Sequence, residues 1–215
     1  AYYDGIERIE YNPDQALNII RDADYTIPAE GGEVRSKDGI QFAFELVYPD
    51  QEPYPQIAQS IAADWARLGV KATLKAVTYD DLLNNYLMTG TYQAALVDLN
   101  LGRTPDPDPY PFWHQAQITG RQNYARWNDA QASEYLEQAR VEVDQAERLR
   151  RYKNFQVRFT NQMPALPLYY LVQSFGIDKA VQGVRVGPIF EPSDRFNNVM
   201  DWYLTVERVS AASNK

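Results

Sequence analysis

The chain has 215 residues, 45% of them hydrophobic, which provides for a packed core and excludes a disordered segment. A net charge of −8 at pH 7 excludes general electrostatic attraction to nucleic acid or an anionic membrane, and the cluster Arg148, Arg150, Arg151 and Lys153 reads as a solvated helix face. The lack of cysteine removes disulfides, thiolate metal sites and cysteine nucleophiles, and a single histidine, His114, removes multi-histidine metal centres.

Asn12-Pro13 reads as an N-cap followed by proline at the first helical position, and Ala16, Leu17, Ile20 and Ala23 continue at helical spacing. Residues 26–38 carry a glycine pair and charges without apolar periodicity and are expected as a loop. From Ile40 to Tyr48 the period changes to two, with Phe42, Phe44, Leu46 and Tyr48 on one face, so a strand is predicted that ends at Pro49-Asp50. Ile57, Ile61, Trp65 and Leu68 then mark a helix closed by Gly69. Val70 to Val77 alternates again, and Thr78-Tyr-Asp-Asp81 resembles a capping box opening a helix through Leu82, Leu83, Tyr86 and Leu87 to Gly90. Tyr92 to Leu99 is the third predicted strand. Strand, helix, strand, helix, strand with short turns is a βαβαβ unit, hence an α/β fold with a mainly parallel sheet flanked by helices.

The third strand empties into Asn100-Leu-Gly-Arg-Thr-Pro-Asp-Pro-Asp-Pro-Tyr-Pro-Phe-Trp113, whose prolines forbid both helix and central strand. A stiff loop at the carboxyl edge of a parallel sheet is where α/β folds place ligands. Beyond it, Asn128 and Asp144 read as N-caps of helices from about Asp129 to Val143 and from Gln145 to Gln162, the second broken by Met163-Pro164. Leu168 to Ile177 is rich in β-formers and is expected to return to the sheet, and the last forty residues read as extended pieces and loops. No apolar run reaches membrane-spanning length, and residues 1–20 contain no signal-peptide core.

The series Tyr11-Asn-Pro-Asp-Gln-Ala16, Leu68-Gly-Val-Lys71, Thr89-Gly-Thr-Tyr92, Pro105-Asp-Pro-Asp108, Asn123-Tyr-Ala-Arg-Trp-Asn128, Glu137-Gln-Ala-Arg140 and Pro164-Ala-Leu-Pro-Leu-Tyr-Tyr170 resembles the solute-binding proteins of ABC importers, in their peptide/nickel class. The resemblance implies a bilobal receptor on the periplasmic or extracellular face of a bacterial membrane, closing on a peptide-like or other small polar solute and delivering it to a permease. It implies the periplasmic-binding-protein type II fold, no catalysis, no cofactor, no metal and a monomer. The chain is expected to be the carboxyl-terminal lobe, with residues 1–183 as the ligand-binding lobe and 184–215 returning toward a first lobe. A cut or naturally incomplete chain is expected, since it begins at Ala1 without initiator Met or leader.

In peptide-binding members an Asp that meets the peptide ammonium stands five residues before the second acid of the Pro-Asp-Pro-Asp motif, with an aromatic three residues earlier. Those positions here hold Arg103 and Asn100. Arginine repels an ammonium and suits a carboxylate, phosphate or sugar acid through its planar fork, or it pairs with Asp106 or Asp108. The candidate ligand residues are therefore Asn100, Arg103 and Thr104, with Tyr48, Trp113 and Tyr124 as aromatic contacts at the same edge. Asp106 and Asp108 supply too few oxygens for calcium and flank nothing as a glycosidase pair, so they are read as bracing the loop and capping amides. His114 beside Trp113 reads as a packing residue; a hydrolase that uses it as base, and an interaction module without cargo, stand as rival readings.

Overall fold

The computed structural model describes residues 3–6, 8–100, 108–119, 122–170, 172, 174–187, 189 and 191–205. Helix α1 (Pro13–Asp22) starts where the sequence places it, because the Asn12 side-chain oxygen accepts the Gln15 amide hydrogen at 3.0 Å and Pro13 has no N–H to satisfy. Within the expected loop and first strand the chain differs. Strands β1 (Ser36–Lys37) and β2 (Ile40–Gln41) form an antiparallel pair, joined by Asp38-Gly39 at φ 53° and 77°. An Asp-Gly pair with both φ positive is the two-residue turn that matches strand twist, so it claims Ile40 for the hairpin and delays the parallel strand.

That strand, β3 (Ala43–Pro49), is central in a three-stranded parallel sheet with β4 (Lys71–Val77) on one side and β5 (Ala94–Ala95) on the other. Helix α2 (Tyr54–Arg67) connects β3 to β4, and its turn ends on Gly69 at φ 78°. Helix α3 (Tyr79–Asp81) begins with the Thr78 hydroxyl accepting the Asp81 amide hydrogen, then widens into a π-helix over Leu82–Leu87. The wider turn sets residues five apart above one another, so both Leu82 and Leu87 reach the sheet.

The two faces of the sheet follow from the period of two. Leu46 and Tyr48 face α2, where Tyr54, Ala58, Ile61, Ala94 and Leu96 join them. Val47 faces the other way and packs with Leu82, Leu87, Ala95 and Val97. Thus β3 is covered on both sides, as parallel strands are. The predicted third strand is the main correction to the sheet: instead of Tyr92–Leu99, only Ala94–Ala95 is ladder-paired. The Gln93 side-chain oxygen accepts the Glu45 amide hydrogen at 2.7 Å, displacing a backbone partner at the start, while the Leu96 amide makes one more bond to Val47 at 2.9 Å before the chain departs.

Helix α4 (Tyr110–Trp113) lies within the stretch whose prolines are expected to forbid helix; it forms because Pro109 and Pro111 fall at its cap and first turn, where no helical N–H bond is lost. It leads to a 3₁₀ turn over Gln115–Gln117, and α5 (Ala130–Val141) and α6 (Gln145–Gln162) pack on each other around Leu136, Ala139, Tyr152 and Phe155. The cap of α5 is Asp129, one residue later than expected, because its carboxylate takes the Ala132 amide hydrogen and also meets the Arg158 guanidinium from α6. Asp144 caps α6 as its sequence predicts, and Met163 closes that helix at φ 45°. The described residues from Tyr3 to Ala165 form one compact unit and those from Leu166 onward a second.

In the second unit the expected strand over Leu168–Ile177 is not seen: none of its described residues is a strand, and Leu168, Tyr169, Tyr170 and Val172 are exposed. Strand propensity prices a pleated, half-buried surface and names no partner. The regular elements of this unit are the antiparallel pair β6 (Val181–Gln182) and β7 (Tyr203–Leu204) and two 3₁₀ turns, Pro192–Phe196 and Val199–Asp201.

Candidate functional site

All three parallel strands end at one edge of the first unit. The Asp50 amide donates to the Val77 carbonyl at 2.8 Å, tying the ends of β3 and β4, and β5 runs out beside them toward Asn100. There the buried Tyr54, first residue of α2, donates its hydroxyl hydrogen to the Asp98 carboxylate, so the departing chain is tethered to the helix across the sheet end. Asn100 is exposed. Arg103, Thr104 and Asp106 lie outside the described residues.

From Asp108 the chain is held side chain by side chain. Asp108 accepts the Tyr110 amide hydrogen at 3.1 Å and pairs with Arg140 of α5 at 2.9 Å, which makes it the amide-capping brace expected of it, with Arg140 as its cation. The Arg140 guanidinium also lies 4.2 Å from the centre of the Tyr110 ring, and that ring stacks on His114 at 4.0 Å. His114 is 3% exposed; its Nδ1 accepts the Ala116 amide hydrogen at 3.0 Å and its Nε2 is 2.9 Å from the Glu137 carboxylate. Both ring nitrogens are committed to structure.

The turn over residues 123–127 is held by its own hydrogen bonds and by Thr89 and Tyr92. Asn123 is 1% exposed; its side-chain amide donates to the carbonyls of His114 and Trp127 and its oxygen accepts the Trp127 amide hydrogen. The Tyr92 hydroxyl donates to the Tyr124 carbonyl, and Arg126 donates to the Thr89 carbonyl at 2.7 Å. Burial pushes the Tyr92 and Tyr124 phenols above their ordinary range, so both stay neutral hydrogen-bonding groups.

The described candidates are not gathered into one cluster. Tyr48, 7% exposed, packs under α2 with Tyr54 and Ala58. Tyr124 packs on the opposite sheet face, beside Val47, Leu82 and Leu87. Trp113 is half-buried against α5 and α6, edge-on to Phe159 at 4.8 Å. Sequence reasoning missed Tyr54, Asp98 and Asn123, whose roles depend on partners far along the chain. Arg140 and Glu137 did carry a signal, the Glu137-Gln-Ala-Arg140 spacing that sets both on one helix face. Among the described residues no three His, Asp or Glu side chains converge as a metal site.

Comparison with known proteins bears on this arrangement. The family model described as "Bacterial extracellular solute-binding proteins, family 5 Middle" matches residues 1–122. The "Dipeptide-binding protein" of Escherichia coli K12 is 27% identical over 201 residues, which cover 88% of this chain and 34% of that protein. Among solved structures, NikZ from Campylobacter jejuni in complex with Ni(L-His) superposes with TM-score 0.69 at 18% identity, over 94% of this chain and 41% of that one. The oligopeptide-binding protein AppA from Bacillus subtilis, in complex with a nonapeptide, gives TM-score 0.68 at 19% identity over 95% and 40%. The chain spans about a third of the length of the curated relatives it matches. These likenesses and the parallel sheet establish the α/β fold of periplasmic binding proteins.

Proposed function

We propose that this chain, which belongs to the bacterial extracellular solute-binding proteins of family 5, is one lobe of an ABC-importer receptor that captures a peptide-like or other small polar solute outside the cell and presents it to a membrane permease. One observation carries the reading to a place in the molecule: β5 lies parallel to β3 in the register Leu46↔Ala94 and Val47↔Ala95, so residues 96–100 leave at the carboxyl edge, where α/β sheets take ligands. Asn100, Arg103 and Thr104 follow and are the residues that touch the solute; Tyr48, Trp113 and Tyr124 back the edge from their packing clusters. Arg103 in place of a carboxylate favours an anionic group on the cargo over a free peptide ammonium. The returning segment of the lobe comprises 184–215.

The chain acts by binding and carries no catalysis. His114 is its one histidine, and with Nδ1 and Nε2 both engaged and the ring buried it offers no base to a substrate. Closure of two lobes stabilises the bound state through ligand contacts made only when both meet. Mass spectrometry of solute co-purifying with the receptor that carries this chain identifies the cargo. Calorimetry with that cargo should find the 215-residue chain alone far weaker than the two-lobed receptor, and Arg103→Ala in the receptor weaker by roughly ten- to a hundredfold. Equal affinity of lone chain and receptor rejects the lobe reading, and an unchanged Arg103→Ala rejects the anion-binding role.

A further inference from the structure

Helix α5 presents one stripe to the segment that follows the proline-rich loop. Ser133, Glu137 and Arg140 stand at i, i+4 and i+7, a single helix face. Each holds a different point of that segment. The Ser133 hydroxyl oxygen accepts the Gln115 amide hydrogen at 3.0 Å, Glu137 meets His114 at 2.9 Å, and Arg140 pairs with Asp108 at 2.9 Å while covering Tyr110 at 4.2 Å. The stack of Tyr110 on His114, with ring planes 15° apart, joins the Arg140 and Glu137 holds into one block.

The partners leave the neutral histidine no choice of tautomer. A backbone N–H can only donate, so Nδ1, which receives Ala116, keeps its lone pair. A carboxylate can only accept, so Nε2, which faces Glu137, carries the proton. A ring flipped or carrying its proton on Nδ1 loses both bonds while only 3% exposed, leaving its own nitrogens unsatisfied in a buried position.

We propose that the Ser133, Glu137 and Arg140 face of α5 is a positioning clamp that holds residues 108–117 through a single Nε2–H tautomer of His114, and so sets the solute-binding edge without touching solute. Its bearing on solute rests on the function proposed above; the clamp itself does not. None of the three is a ligand contact, and their effect passes through Asp108, Tyr110 and His114.

The test uses the full 215-residue chain, where His114 as the sole histidine makes ring nitrogen signals unambiguous. Long-range proton–nitrogen correlation at pH 7 should show the Nε2–H tautomer alone. Glu137→Ala should admit the second tautomer and speed hydrogen exchange at Ala116 about tenfold, whereas Glu137→Gln, which keeps an acceptor oxygen, should restore the wild-type signals. A predominant Nδ1–H ring, or an Ala116 exchange rate indifferent to Glu137→Ala, overturns the clamp. Calorimetric titration of the two-lobed receptor that carries this chain with N-acetyl-alanyl-alanine reads the edge, where Arg140→Met should weaken wild-type binding about tenfold. If Arg140→Met and Glu137→Ala bind this probe as wild type does, the positioning role falls and the receptor reading stands. If the wild-type receptor does not bind this probe, the anionic-solute reading falls with the clamp's bearing on it, and the tautomer still decides the clamp.

Discussion

Asp129 shows how much one side chain can hold. Its carboxylate accepts the Ala132 amide hydrogen at 2.7 Å, both Nε and Nη2 of Arg158 at 2.6 Å, and the Gln162 amide at 2.9 Å, while Gln162 in turn accepts from the Trp127 indole. The Arg158 guanidinium is the main cause that holds the Asp129 carboxyl at about 2, below its usual 3.8. A depressed carboxyl stabilises the fold above its unfolded value and ceases to do so as pH falls through the folded one. Urea unfolding should therefore find Asp129→Asn about 2 kcal/mol less stable at neutral pH, with the gap to wild type closing between pH of about 4 and about 2. A gap that persists undiminished at the acid end assigns the loss to the geometry of the hydrogen-bond network around Arg158 and Gln162 and not to the carboxylate charge. The sequence marked an N-cap here but placed it on Asn128, because capping preference is the same for both residues and Arg158 lies 29 positions away.

At the scale of elements, local chemistry and distant partners divide the outcome. Helices α1 and α6 begin on the predicted caps, since a cap hydrogen bond spans three residues and needs nothing else. The passage from the π-helix into β5 is less local. Gly90 sits at φ 69°, and a Cβ there would meet the Arg126 guanidinium, which reaches over it to the Thr89 carbonyl. Gly90→Ala must strain the backbone and expel Arg126, so thermal unfolding should show a loss of about 1 kcal/mol or more, and Arg126→Ala should relieve part of it. Full additivity of the two changes would show that Arg126 is not the obstacle. The glycine was legible as a helix end; the arginine that crosses it was not.

Over the whole molecule the two units differ in how much they bury. The first holds the sheet and the α5–α6 cores, whereas among the described residues from Leu166 onward only Asp194 is buried. Amides with little burial open at low cost. Native-state hydrogen exchange should find β3 and β4 protected by orders of magnitude more than residues 166–205 in this chain, and the proposed first lobe should raise protection in that second region; equal protection in the lone chain would contradict the difference in burial. The sequence by itself determined α1, α2 and α6, the caps at Asn12 and Asp144, and the strand and helix order that makes the sheet parallel, because each rests on residues within a few positions of one another. Tertiary structure alone decided how short β5 is, that the described residues of Leu168–Ile177 form no strand, and that His114 and Asp108 are held by α5. Those depend on which distant groups meet, and neither spacing nor propensity carries that information.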